Sequence, residues 1–361
     1  MSNPNEKLRF AIVGCGVIHG THVSAIRALP EDAELAAVCD ENPEAAKTAG
    51  EKYGVPFFTD LAQMLQTQPF EVLNVCTPSG LHARHGVLGA KAGKHVVCEK
   101  PIDVSLPAAD ALINACKENN VKLVVISQHR YSTGIRALRK FLDDGSLGTL
   151  CYAEAVTKWY RSQGYYDSGG WRGTWELDGG GALMNQGVHY VDQLRWVMGP
   201  VKSVAATMAT RAHSRIEVED VVSATIEFES GAVGTLLAST AMYPGYAQAL
   251  EVYGTGGAVI VENSRLKHAQ MEGNAPLVKN FEKQNDSSNQ EVAPAPGGNA
   301  ASDPTQISLD GHVEHLKDLI GAIRENRDTF MNGPEARAAL ELIVGVYRAA
   351  KTGERVYFPV K

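Results

Sequence analysis

"LRFAIVGCGVIHG" (8–20) decides the fold of this chain. A short apolar run ends in Gly14-Cys15-Gly16, and a helical pattern through His22, Ala25, Ile26 and Leu29 follows at once. A buried strand, a glycine turn and a helix in that order open a βαβ unit. The alternation then repeats. "ELAAVCD" (34–40) is a second run, ending in an acid, and "NPEAAKTAGEKYG" (42–54) reads as a helix with Pro43 in its first turn and Gly54 beyond its end. "EVLNVCTP" (71–78), "KHVVCE" (94–99) and "VKLVVIS" (121–127) are further strands, separated by helices near 81–92 and 105–119. Strands that are apolar throughout and alternate with helices imply a parallel sheet covered on both faces, the doubly wound Rossmann arrangement.

After about residue 130 the period changes. Helices near 133–144 and 181–197 flank "LCYAEAVTKWY" (150–160), and strands follow at 201–210, 220–230, 232–240, 249–255 and 257–262. Ser230-Gly231 reads as a hairpin turn between two of them. This predicts an α+β domain with an open, mainly antiparallel sheet. Residues 264–308 read as a polar loop or hairpin excursion, and helices resume near 311–326 and 334–351. The expected division is a Rossmann domain over 1–130 and an α+β domain over 131–361, its C-terminal helix packing back toward the first.

Composition removes several function classes. With 361 residues two domains are expected, and a net charge of −7 lacks the basic balance of a nucleic-acid binder. No apolar run reaches the roughly 18–20 residues a bilayer span needs. The N-terminus "MSNPNEKLRF" carries no secretory segment, so the expected location is cytoplasmic. Cys15, Cys39, Cys76, Cys98, Cys116 and Cys151 form no Cys-x-x-Cys pair and read as reduced, buried thiols.

The glycine loop is the first functional signal. Gly14 permits the tight turn, and Gly16 lets backbone approach a pyrophosphate at the helix N-terminus. His19 occupies the place of the third glycine, with Gly20 one position late, so the loop alone also fits a purely structural turn. Asp40 weighs against that. An acid ending the second strand can accept both ribose hydroxyls and repels a 2′-phosphate, which favours NAD(H) over NADP(H).

Ligands bind at the carboxyl ends of such strands, and three ends here carry unusual chemistry: Cys76-Thr77-Pro78, Glu99-Lys100-Pro101 and Gln128-His129-Arg130. Lys100 is either a surface lysine or a group that polarises a hydroxyl beside the nicotinamide. In "LDGGGALMNQGVHYVDQLRW" (177–196), Asn185, His189 and Asp192 share one helical face. One histidine without a second four residues away does not support a metal site. In "KWYRSQGYYDSGGWRGTW" (158–175), aromatic rings can stack on sugar faces or pack an interface, and Arg161 and Arg172 can bind a carboxylate or phosphate.

Gly14-Cys15-Gly16, Asp40, "TPSGLH" (77–82), "EKP" (99–101) and "GGGALMNQGVHYVD" (179–192) together resemble the glucose–fructose oxidoreductase/inositol dehydrogenase family, Gfo/Idh/MocA, over nearly the whole chain. The resemblance implies an NAD(H)-dependent dehydrogenase in which Lys100 polarises the reacting hydroxyl and His189 is the general acid/base. It implies cofactor contacts from Gly14, Gly16, Val17, Ile18, Asp40, Thr77, Pro78, His82, Glu99, Lys100 and Gln128. Substrate contacts are implied for Lys100, Arg130, Tyr160, Arg172, Asn185 and His189. It further implies a homodimer or homotetramer through the C-terminal sheet and a cis Lys100–Pro101 bond. Many polyol-oxidising members carry aspartate where this chain has Asn185, and asparagine cannot relay a proton. The Asn form looks similar to enzymes that oxidise position 3 of sugar rings, including nucleotide-linked amino-sugar uronates. Inositol or other cyclic polyol oxidation, keto-sugar reduction, and a sensor without turnover remain as alternatives.

Overall fold

The computed structural model describes residues 6–273 and 309–360. The chain divides into two compact units. Unit 1 comprises Met1–Gln128, Glu176–Gly179 and Ile307–Leu340; unit 2 comprises His129–Trp175, Gly180–Gln306 and Glu341–Lys361.

Unit 1 contains a six-stranded, all-parallel sheet of order β3-β2-β1-β4-β5-β6. Its strands are β1 (Leu8–Val13), β2 (Ala33–Cys39), β3 (Phe57–Phe58), β4 (Val72–Val75), β5 (His95–Cys98) and β6 (Leu123–Val125). The connecting helices are α1 (His19–Arg27), α2 (Pro43–Tyr53), α3 (Leu61–Thr67), α4 (His82–Lys91) and α5 (Leu106–Glu118). The reversal of strand order between β1 and β4 makes the switch point at which ligands bind in open α/β sheets. Local chemistry sets the helix ends. The Asn42 side chain accepts from the Glu44 and Ala45 N–H groups, and Gly54 closes α2 with φ 73°. The two-residue β3 and the seven-residue α3 are too short to show a period in the sequence, and both are additions to the expected order.

Unit 2 holds an eight-stranded sheet of order β13-β12-β11-β7-β10-β9-β8-β14. Its strands are β7 (Leu150–Lys158), β8 (Val201–Ala209), β9 (Val221–Phe228), β10 (Val233–Ser239), β11 (Gln248–Gly254), β12 (Gly257–Glu262), β13 (Arg265–Met271) and β14 (Val356–Tyr357). All pairings are antiparallel except β7 with β10. Gly231 (φ 86°) makes the expected β9–β10 turn. The helices are α6 (Thr133–Asp143), α7 (Gln163–Asp167) and α8 (Val188–Met198), and a π-helical turn, Leu183–Gly187, precedes α8. Later in the chain, α9 (Asp310–Glu325) belongs to unit 1, and α10 (Gly333–Thr352) begins in unit 1 and ends in unit 2.

The polar 264–308 segment opens as a hairpin, β13 pairing antiparallel with β12, and its alternating charged residues suit an edge strand; two other expectations need correction. Residues 274–308 lie outside the described residues. The helix expected over 181–197 begins as a π turn, so its spacing is not purely α-helical. Among the cysteines, Cys151 is exposed on β7 and Cys15 is half-buried, while the other four are buried thiols. Among the described residues no helix is long and apolar enough to cross a membrane.

Candidate active site

The glycine loop is built as a cradle. Gly14 has φ +93°, and a Cβ there would lie 2.6 Å from the Cys76 carbonyl. Only glycine lets β1 turn this close to the end of β4. Around Gly16 a Cβ would meet nothing within 4 Å, so no protein atom demands glycine. That space, the exposed Val17 (69%) and the first turn of α1, where Ile18 offers no capping side chain, suit a pyrophosphate. His19 begins α1, pairs with the Gly16 carbonyl and lies 3.4 Å from the Tyr53 hydroxyl, so the missing third glycine leaves the loop intact.

Asp40 braces the cradle. Its Oδ2 accepts from the Cys15 N–H at 2.7 Å and its Oδ1 from the Asn42 N–H at 2.9 Å. At the end of β4, Thr77 and Pro78 are half-buried, and Pro78 leads into the 3₁₀ turn Ser79–Leu81. After β6, Gln128 Oε1 is buried without a hydrogen-bond partner, an acceptor left open for a ligand.

Two residues expected at the cofactor turn out to be engaged within the protein. His82 is buried, with Nδ1 2.7 Å from the Pro101 carbonyl and Nε2 2.8 Å from that of Thr77. Burial lowers its pKa against the pull of those carbonyls, and the ring ties the Thr77 and Pro101 turns together. Glu99 is also buried. Its Oε1 accepts from His22 Nε2 at 2.9 Å and His312 Nε2 at 3.2 Å, and its Oε2 from the Lys100 N–H at 3.0 Å. Burial alone would raise the carboxyl; the imidazole hydrogen bonds outweigh it and hold Glu99 well below the usual range. The His22 ring, its Nδ1 2.9 Å from the Asn74 amide nitrogen, is pushed by burial toward the neutral form. The ligand-type atoms of His22, Glu99 and His312 lie within 4.8 Å of one another, a spacing that a metal ion could also use. The donated N–H bonds already satisfy the carboxylate. Neither histidine is visible from sequence spacing, because they come from α1 and α9. Lys100, half-buried, follows directly, and its bond to Pro101 is cis, as the resemblance implied.

Unit 2 places His189 (6% exposed) at the start of α8 and Asn185, half-buried, in the π turn before it. π turns inside helices recur at functional sites. Glu219 anchors this segment: its carboxylate accepts from the Gly181 and Leu183 N–H groups at 2.9 Å each and from the Tyr347 hydroxyl at 3.0 Å. Gly181 is obligatory, since a Cβ would collide with the Glu219 carbonyl. Burial lifts Glu219 to about 7.

Arg130 and Asp192 form a buried bidentate pair at 2.8 and 2.6 Å, with the guanidinium 4.8 Å from the Trp196 ring. Arg130, expected among the substrate contacts, is held through Nε and Nη2 by Asp192 on α8. Arg172 lies between the rings of Tyr165 (4.4 Å) and Trp171 (4.5 Å) and donates to the Tyr165 hydroxyl at 2.8 Å. Tyr160 stacks edge-on against Tyr243 at 5.2 Å.

A glycine cradle at the switch point of a parallel doubly wound sheet is the arrangement of a dinucleotide-binding oxidoreductase domain. Residues 8–127 match the oxidoreductase family NAD-binding Rossmann fold, and residues 135–260 match the GFO/IDH/MocA C-terminal domain. The chain belongs to the Gfo/Idh/MocA family. It is 30% identical to an inositol 2-dehydrogenase of Rhizobium meliloti over 72% of this chain and 76% of that protein. It is 30% identical to a D-glucoside 3-dehydrogenase of Escherichia coli, covering 66% of this chain and 72% of that one. The WlbA dehydrogenase of Bordetella pertussis, crystallised with NADH and UDP-GlcNAcA, superposes with a TM-score of 0.86 at 32% identity, covering 99% of this chain and all of the other. The cofactor is NAD.

Proposed function

We propose that this enzyme oxidises a secondary ring hydroxyl of a sugar, glycoside or nucleotide sugar to a ketone, at ring position 3. The observation carrying this reading is the Asn185–His189 segment, anchored by Glu219, in a chain that also supplies Lys100 directly after the buried Glu99. Likeness to a glucoside 3-dehydrogenase and to a dehydrogenase crystallised with a nucleotide-linked uronate supports the ring position and the substrate class.

NAD supplies the hydride acceptor. On this chain, Lys100 polarises the hydroxyl oxygen and His189 takes its proton as the carbon surrenders hydride. Asn185 hydrogen-bonds a neighbouring hydroxyl but passes no proton. Tyr160 and Arg172 contact the sugar or its anionic substituent. Arg130 serves through Asp192, since its guanidinium is already paired. The glycine loop, Asp40, Thr77, Pro78 and Gln128 contact the dinucleotide; Glu99 and His82 hold the strand ends that carry Lys100. The proposed setting is cytoplasmic, with a homodimer or homotetramer formed through the unit 2 sheet, where Val233 and Tyr357 are exposed.

The test is NADH formation over a panel of free sugars, glycosides, nucleotide sugars and myo-inositol. Loss of turnover in Lys100→Met and His189→Ala is expected. Turnover at the wild-type rate in both variants defeats the residue assignment, and turnover confined to myo-inositol favours the cyclic-polyol reading supported by the inositol relative.

A further inference from the structure

His189 has a ring neighbour that the mechanism above does not use. His129, in the 3₁₀ turn Gln128–Tyr131, packs its imidazole on that of His189 with centroids 4.5 Å apart and planes inclined by 46°. His129 is itself fixed, its Nδ1 lying 2.7 Å from Ser264 Oγ.

Ser264 is held in turn. Asn263 and Ser264 form the two-residue link between β12 and β13 and have φ 47° and 68°. Such a link requires positive φ, which is costly for serine. The Ser264 carbonyl accepts from the Gly134 N–H at 3.0 Å, and a Cβ on Gly134 would come within 2.8 Å of that carbonyl. A glycine on α6 thus admits the hairpin tip closely enough to place the hydroxyl on His129.

We infer that His129, locked by Ser264, is a positioning residue for His189, fixing the plane in which its imidazole meets the substrate hydroxyl. This rests on the proposed role of His189. An imidazole tied at one nitrogen has a set ring plane, and a ring packed on it loses rotational freedom before substrate arrives. The β12–β13 tip is thereby part of the catalytic apparatus, though it opens the polar stretch with no sequence motif.

The experiment is steady-state kinetics on the sugar that turns over best, with NADH affinity read separately by fluorescence. His129→Phe keeps a packed ring but loses the Ser264 bond. It is expected to lower kcat at least tenfold, with KM and NADH affinity within threefold of wild type. His129→Asn, whose amide can still pair with Ser264, recovers part of kcat. Ser264→Ala, which removes the same bond, lowers kcat to a similar extent, and adding it to His129→Phe changes nothing further. Wild-type kcat in His129→Phe, or independent effects of the two substitutions, overturns the inference. Should His129→Phe fail to fold, wild-type kcat in Ser264→Ala overturns it. Undiminished turnover in His189→Ala would instead remove the role of His189 and this inference with it.

Discussion

His22 Nε2 lies 2.9 Å from Glu99 Oε1, and both side chains are buried. This contact, with His312 on the same oxygen, is why a carboxylate can remain ionised inside unit 1 directly before Lys100.

The first prediction concerns acid stability. Glu99 is held well below 4.5, so its stabilisation is present above that value and is lost as pH falls below it. His22, kept neutral by burial, also opposes folding at low pH, since only the unfolded ring gains a proton near 6.5. Glu99→Gln should cost about 2–4 kcal/mol at pH 7 and flatten the acid side of the stability profile. Urea unfolding at pH 7 and at about pH 3 measures both; equal losses at the two values would contradict it.

Glu219 should behave in the opposite sense. Its carboxyl is raised from 4.5 to about 7, so across that window the folded protein retains a proton that the unfolded chain has lost. Rising pH therefore subtracts stability there, up to about 3 kcal/mol. The melting temperature of Glu219→Gln minus that of wild type should increase between pH 5 and pH 8. A difference that stays flat or falls would show that the N–H donors of Gly181 and Leu183 outweigh burial.

The two loop glycines should separate folding from cofactor binding. Gly14→Ala meets the Cys76 carbonyl and a left-handed backbone, the latter alone costing about 1–3 kcal/mol. Gly16→Ala has free space in the protein. It should melt like wild type yet bind NADH at least tenfold more weakly by titration calorimetry. Undiminished NADH affinity would move the pyrophosphate elsewhere.

Breaking the Arg130–Asp192 pair should act on stability. Asp192→Asn leaves a buried guanidinium short of a countercharge, at a cost of about 3–5 kcal/mol. Chemical denaturation should register that loss. A KM change with unchanged stability would instead return Arg130 to the substrate.

Much of this protein is determined by its sequence alone. Uninterrupted apolar strands alternating with helices leave a doubly wound sheet as the arrangement that buries them, and β1-Gly14-Cys15-Gly16-α1 with Asp40 marks the cofactor edge because strand, turn and helix are contiguous. Lys100 and His189 stand out for the same reason, each framed by its immediate neighbours. The tertiary structure decided which polar groups answer one another. Arg130 and Asp192 are 62 residues apart, His312 lies 213 residues from Glu99, and Ser264 lies 135 from His129. Local spacing carries no signal for such pairs, since a buried charge takes whichever partner packing brings within hydrogen-bond reach. The π turn before His189 is likewise set by Glu219 and Tyr347 docking onto its N–H groups, and the polar start of β13 became a strand because β12 offered it an edge to pair with.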